Sequence, residues 1–287
     1  MTKPESVTTK SAGGNAGGGE PSGAAGTPRS PSKSVTTRAL VWFSCGAASA
    51  VAAKLAVEKY GDDCEVLYCD TFAYEHPDNP RFLADVERWI DKPIKILKSP
   101  DYTDIYDVFR RTGWLIGPKG ARCTTELKIN VRKAYQRVGD IHILGFTADE
   151  ADRITDFMHN FPDLIVDSIL LDAGIMKKDC YDCLRFANIG LPTMYELGYG
   201  HNNCLGCVKG SMGYWNKIRK DFPEMFDKMA KMEREIGHAI CKKEIGKRKT
   251  PSYKILPVYL DELDPRAGNF KKEPDISCGV MCQRATE

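Results

Sequence analysis

The stretch "LVWFSCGAASAVAAK", residues 40–54, decides the fold. With Ala39 before it, the run to Phe43 is continuously apolar and short, the mark of a strand buried on both faces. Ser44-Cys45-Gly46 breaks the run, and the small residues from Ala47 onward open a helix reaching Tyr60. Strand, tight turn and helix together fit an anion-binding loop, in which small residues let backbone N–H groups approach and the helix adds its positive end. Ser44 and Ser49 add hydroxyl donors. Close packing of strand on helix would use the same small residues. The loop is not of the Walker type, because the Gly-Lys-Ser/Thr ending is absent and Ala47-Ala48 stand where charge would be.

The same alternation continues downstream. "CEVLYC" (64–69) reads as a strand, 80–91 as a helix with Phe82, Val86 and Trp89/Ile90 inward, and "KPIKIL" (92–97) as a third strand. A helix around 103–111, a turn at "IGPKG", a longer helix over 123–137 and a fourth strand at "DIHILGF" (140–146) follow. The expected class is therefore α/β, a doubly wound, mainly parallel sheet. Ligands of such sheets sit beyond the carboxyl ends of the strands, where Ser44, Asp70 and Gly145 fall. Farther on, Lys177–Ala187 and Tyr214–Ile236 read as helices, the second with Trp215, Ile218, Phe222, Met225, Phe226 and Met229 as its apolar stripe. After Gly246 the chain turns rich in Pro, Gly and Lys, and an extended tail is expected. The organisation that results is an arm (1–37), a nucleotide-binding domain (38–236) with a helical Cys-bearing part, and a basic tail (237–287).

Residues 1–37 are Gly/Ser/Ala/Pro-rich with few large apolar groups, so a disordered low-complexity arm is expected there. The arm has no signal-like apolar core and no later run reaches membrane-spanning length, so the expectation is a cytoplasmic protein without a membrane partner. Forty-one basic and 39 acidic residues leave a formal charge of +2, so bulk charge does not mark a nucleic-acid coat. "CKKEIGKRKTPSYK" nevertheless gathers Lys242, Lys243, Lys247, Arg248, Lys249 and Lys254. Such a run is a solvated loop or a holder of a phosphorylated nucleotide, a nucleic-acid backbone or an acidic protein. The aromatics of "GYWNKIRKDFPEMF" have core spacing rather than the pattern of base-stacking groups.

Eleven cysteines in a reducing compartment point to metal or redox chemistry for those that cluster. Cys204-Leu-Gly-Cys207 can turn both sulfurs toward one centre, and needs two more ligands. Cys123 is the first candidate, and Cys282, Cys278 or Cys180 could complete the set. Cys180-Tyr-Asp-Cys183 lies on a helix where Cys183 shares a face with Leu184 and Ala187, a core pattern. Cys64 and Cys69 read as strand core, and Cys241 stands among lysines. Lys209, just past the second CxxC, could hold sulfate or phosphate, and His201 reads as a polar loop residue.

Several of these stretches together resemble the sulfonucleotide (PAPS/APS) reductase branch of the adenine-nucleotide alpha-hydrolase superfamily. Ser44, Gly46 and Ser49 fit its Ser-Gly-Gly-x-Asp-Ser loop, with Cys45 for a glycine and Ala48 for the acidic residue. In "LYCDTFAYEHPDNPRF", Asp70 and Thr71 fit Asp-Thr-Gly, with Phe72 replacing the glycine. "ARCTTELKI" is similar to Cys-Cys-x-x-x-Lys, with Thr124 for the second cysteine. "LGFTADEADR" resembles Gly-x-Arg-x-x-Glu-x-x-Arg through Gly145, Glu150 and Arg153, with Thr147 for the first arginine. "SCGVMC" in the tail is similar to Glu-Cys-Gly-Leu-His through Cys278-Gly279, Ser277 taking the place of Glu. The likeness covers about residues 38–230.

The resemblance implies an alpha-hydrolase-like domain in which Ser44, Gly46 and Ser49 hold a phosphate or sulfate and Asp70 and Thr71 meet the adenosine. Gly145, Glu150, Arg153 and Lys128 then shape the anion site. A [4Fe-4S] cluster on Cys123, Cys204, Cys207 and Cys282 is implied, with zinc as the alternative metal. Cys278 is the implied nucleophile on the sulfur of an adenylyl sulfate, with a thioredoxin-like reductant as partner. Two other functions share these residues: an ATP-dependent sulfur transferase acting on nucleic acid, and a non-catalytic nucleotide-binding descendant.

Overall fold

The computed structural model describes residues 38–117, 120–202, 204–247, 249–274, 276 and 278. The expected arm, 1–37, and Cys282 lie outside the described residues.

Five parallel strands form the central sheet: β1 (Ala39–Phe43), β2 (Cys64–Cys69), β3 (Ile94–Leu97), β4 (Ile141–Ile143) and β5 (Ile165–Asp167). Their order is β3-β2-β1-β4-β5, so the winding reverses between β1 and β4, where a doubly wound sheet opens its crevice. The register sets Ala39 beside Cys64 and Ile141, which brings the ends of β1, β2 and β4 to the same edge. All of β1 is buried, because both faces are covered. On one face Ala39, Val41 and Phe43 pack with α1 (Ala47–Tyr60), α2 (Asn79–Ile90) and α6 (Lys177–Phe186). Leu40, Trp42, Leu67 and Cys69 face the other way, onto Val131, Leu144 and Phe157. Helix α1 has little amphipathic character, and its alanines at 47, 50, 52, 53 and 56 are buried, so small side chains let it lie close on the sheet.

Apart from short helical turns such as Ile169–Asp172 and Thr193–Glu196, the remaining helices are α3 (Ile105–Thr112), α4 (Asn130–Tyr135), α5 (Ala151–Asn160), α7 (Met212–Asp221) and α8 (Pro223–Ile236). Helices α3, α7 and α8 build a second core around Trp215, Phe109, Ile218 and Met229, and Cys207 belongs to it. Two expected helices are corrected here. The span 123–137 is not one regular helix: a turn at Arg122–Thr124 passes into a π-helical segment, Thr125–Ile129, before α4. The span 214–236 is two helices, because Pro223 has no N–H to continue the ladder and disfavours a helical conformation before it, and Phe222 turns to φ −142°, ψ 66°. The fifth strand, β5, was not anticipated; it is three residues long and sits at the sheet edge. The expected extended tail instead begins with a hairpin, β6 (Cys241–Ile245) against β7 (Lys254–Val258), with its lysines exposed. Among the described residues, no helix is long and apolar enough to cross a membrane.

Candidate functional site

The loop after β1 is held by its own side chains. Ser49 Oγ receives the N–H of Ser44 at 3.1 Å and of Gly46 at 3.3 Å, and donates to the Gly46 carbonyl at 2.9 Å. Ser44 Oγ lies 3.2 Å from Ser49 Oγ, and the Ala47 N–H reaches the Tyr195 hydroxyl at 3.3 Å. Cys45 sits at φ +54°, the left-handed region that glycine occupies freely. Its thiol is sealed, and burial pushes its pKa well up. Gly145, at the end of β4, closes on this loop: a Cβ there would stand 2.6 Å from the Ser49 nitrogen. The strand ends thus meet as expected.

At the end of β2, Asp70 pairs with Lys98 at 3.3 Å. Thr71, expected to meet adenosine, is instead turned inward and almost wholly buried, its hydroxyl donating to Glu75. Glu75 also accepts from the Tyr68 hydroxyl at 2.8 Å and from Asn79 Nδ2 at 2.6 Å. Asn202 extends this buried network, donating to Asn79 Oδ1 at 2.8 Å and to the Cys45 carbonyl at 2.7 Å. A carboxylate below the strand ends is therefore wired to the loop after β1. Glu75, Asn79, Asn202 and Tyr195 carry no local pattern that would have marked them.

The cysteines come together from three segments. Leu205 N–H donates to the Tyr74 carbonyl at 2.8 Å and ties the Cys204–Cys207 turn to the short turn Phe72–Tyr74 that follows β2. Tyr214 fixes the turn from below, receiving the Cys207 N–H at 2.9 Å and donating to the Cys204 carbonyl at 3.2 Å. Gly206 adopts φ +72° within it, packed on Trp215. Cys123 arrives just before the π-helical segment. Cys278 arrives from the tail, its Sγ 3.6 Å from Thr124 Oγ1. The tail is anchored by Glu273, whose carboxylate receives the N–H groups of Gly213 and Tyr214 at 2.6 and 2.8 Å and so caps α7. Cys123, Cys204 and Cys278 are only partly buried, while Cys207 is buried. Cys180 is not among them: it lies fully buried in the α1–α6 core, beside Cys183.

Electrostatics bind the group into one unit. Burial pushes Cys123 and Cys207 up to about 12 and raises Cys204 well above its usual range. At Cys278 burial acts in the same sense, but Lys128, Lys209 and the Thr124 hydroxyl outweigh it and the thiol falls below its ordinary value. Lys128 shows the reciprocal effect: burial lowers it, yet Cys278, Cys204, Glu75 and Cys69 together hold it well above 10.5. Among the described residues, no three His, Cys, Asp or Glu side chains converge as ligands of a single metal ion. Arg153 and Glu150 lie on the β4 side, paired with each other, the guanidinium 4.9 Å over the Phe146 ring.

No family model and no curated protein matches the chain.

Proposed function

We propose that the protein acts on the sulfur of an adenine sulfonucleotide, as a reductase of the PAPS/APS type with an iron–sulfur cluster beside a nucleotide cradle. The observation that carries this reading is Lys128. One partly buried ammonium interacts with Cys45, Cys69 and Glu75 at the strand ends and with Cys123, Cys204 and Cys278 in the thiol group. A cation so shared neutralises an anion in the crevice and keeps a nearby sulfur ionised, the two demands of thiol attack on a sulfonate. In that reaction a thiolate bonds to sulfur and the sulfur–oxygen bond to the adenosine phosphate breaks. A thioredoxin-like dithiol then reduces the S-sulfonate, releasing sulfite and becoming a disulfide.

The donor set fits a [4Fe-4S] cluster: four thiols from three segments, with lysines to offset their charge. In a cluster each thiolate takes a different iron, so the sulfurs need not converge on one point. When bound, such a cluster supplies a polarising charge beside the sulfate. The contact of Cys278 with Thr124, which stands where the resembling reductases carry a second cysteine, favours Cys278 as the fourth ligand. The tail cysteines then exchange their expected roles, and Cys282 is the thiol left to attack sulfur.

Anaerobic purification with iron, zinc and sulfide analysis, beside sulfite release from adenylyl sulfates with a dithiol reductant, tests both parts. The expected result is about four irons and four sulfides per chain, lost in Cys204→Ser and Cys278→Ser. Cys282→Ser keeps the iron and loses sulfite release. Iron retained in Cys278→Ser with activity gone restores Cys278 as nucleophile; zinc or no metal removes the cluster. An intact cluster with no sulfite from either adenylyl sulfate defeats the reductase reading. One observation favours the second reading, ATP-dependent sulfur transfer to nucleic acid: the lysine-bearing hairpin β6–β7. Activity that requires ATP and magnesium would mark it.

A further inference from the structure

Hairpin β6–β7 exposes Lys242, Lys243, Lys247, Lys249 and Lys254, and Glu244 is the only carboxylate from 241 to 258. Lys242, Lys247, Lys249 and Lys254 form no ion pair among the described residues. A solvated strand pair needs no such excess of one sign, and like charges along it repel. Nor is the hairpin covered by apolar packing, since Ile245, Ile255 and Leu256 are also exposed.

The root of the hairpin adjoins a cleft of about 570 Å³ lined by Tyr102, Arg111, Trp114 and Arg122. His238, three residues before β6, stacks on Trp114 with ring centroids 6.0 Å apart and planes within 21°. Trp114 is a large aromatic left 40% exposed, and Arg111 lies 4.4 Å over the Tyr102 ring. Both cleft arginines have a carboxylate neighbour, Asp107 and Glu126, so the unpaired positive charge belongs to the hairpin. Arg122 leads directly into Cys123, which places the cleft between the hairpin root and the thiol group.

We propose that this surface binds single-stranded nucleic acid, the hairpin lysines holding phosphates and the Trp114 cleft receiving a base. Aromatic faces beside a row of cations are the means by which single strands are held without sequence preference. A duplex would offer the cleft no free base. The proposal is independent of the reductase reading, because it concerns binding alone and is read without turnover.

The experiment is fluorescence anisotropy of the full-length protein with labelled 20-mers of poly(dT) and poly(U), at several salt concentrations. Binding is expected, with the duplex of the same length bound more weakly. Neutralising Lys242, Lys247, Lys249 and Lys254 to Gln lowers the slope of log affinity against log salt by about 3, since each phosphate contact on a single strand contributes about 0.7. Trp114→Ala weakens binding about 5- to 150-fold, the range for one lost base stack, and Trp114→Phe recovers most of it. All three variants should keep the wild-type circular dichroism. No binding at low salt overturns the proposal. So does equal affinity for a polyglutamate of the same length, which identifies an acidic protein as the partner, or indifference to Trp114→Ala, which removes the base from the cleft.

Discussion

Gly145 is where the crevice depends on the absence of a side chain. An added Cβ meets Ser49 backbone at 2.6 and 2.8 Å, atoms that belong to the first turn of α1 and cannot swing away. Gly145→Ala is expected to cost about 1–3 kcal/mol, the range for overpacking a fitted site, and a denaturant titration of the two proteins measures it. Ser44, Gly46 and Ser49 were legible in the sequence because strand, small residues and helix follow each other locally. Glu75, Asn79 and Asn202 were not, because their meaning arises only when the chain folds: Asn202 reaches a carbonyl 157 residues away. Thr71 shows the limit of motif reading from the other side. Its position at a strand end was expected, while the inward turn of its hydroxyl is set by Glu75.

At the scale of elements, the strands β1 and β2 and helix α1 stand as their apolar patterns require, and the misreadings have local causes. A periodic stripe continues across Pro223 because Trp215 and Ile218 in α7 and Phe226 and Met229 in α8 feed the same core, so periodicity alone joined two helices. The cap on α7 was hidden for a different reason. Its acceptor, Glu273, lies about sixty residues downstream of the N–H groups it holds. Glu273→Ala is expected to lower stability by about 0.5–2 kcal/mol, as loss of a helix cap does. It should also speed alkylation of Cys278, followed by mass spectrometry, while leaving the buried Cys180 unreactive. Unchanged labelling would mean that the cap does not position the tail.

For the molecule as a whole, two sets of carboxylates set opposite limits of pH. Arg38 joins β1 to its neighbours, bonding to Asp140 at 2.7 Å and to Glu65 at 3.0 Å. Burial pushes both acids up, but the Tyr135 hydroxyl with Arg38 at Glu65, and Arg38 with the Arg137 N–H at Asp140, prevail, and both fall below their ordinary range. Asp78, under the bidentate grip of Arg81, is held at about 2. These groups contribute stability above the ordinary carboxylate range, and it is lost as pH falls through their depressed values. Glu233 acts in the reverse sense. Buried between α8 and the hairpin root, it accepts from the N–H groups of Ile240 and Leu260, yet desolvation outweighs them and pushes it up to about 7. Its contribution is full below 4.5 and is lost as pH rises through about 7. Melting temperature should therefore decline across that interval, and Glu233→Gln, though less stable throughout, should show a flatter decline. The parallel sheet class was legible from alternation alone; the second core was less so, because α3 is separated from α7 and α8 by much of the chain.

The cap on α7 also measures out a leash. Cys278 lies five positions after Glu273, and a fully extended chain of that length spans at most about 17 Å. While Glu273 stays bonded, the Cys278 backbone is kept within that radius of the start of α7, on the side of the molecule that carries the Cys204–Cys207 turn. Release the carboxylate and the nearest fixed point retreats up the chain, the radius grows, and Cys278 is no longer confined beside the other thiols.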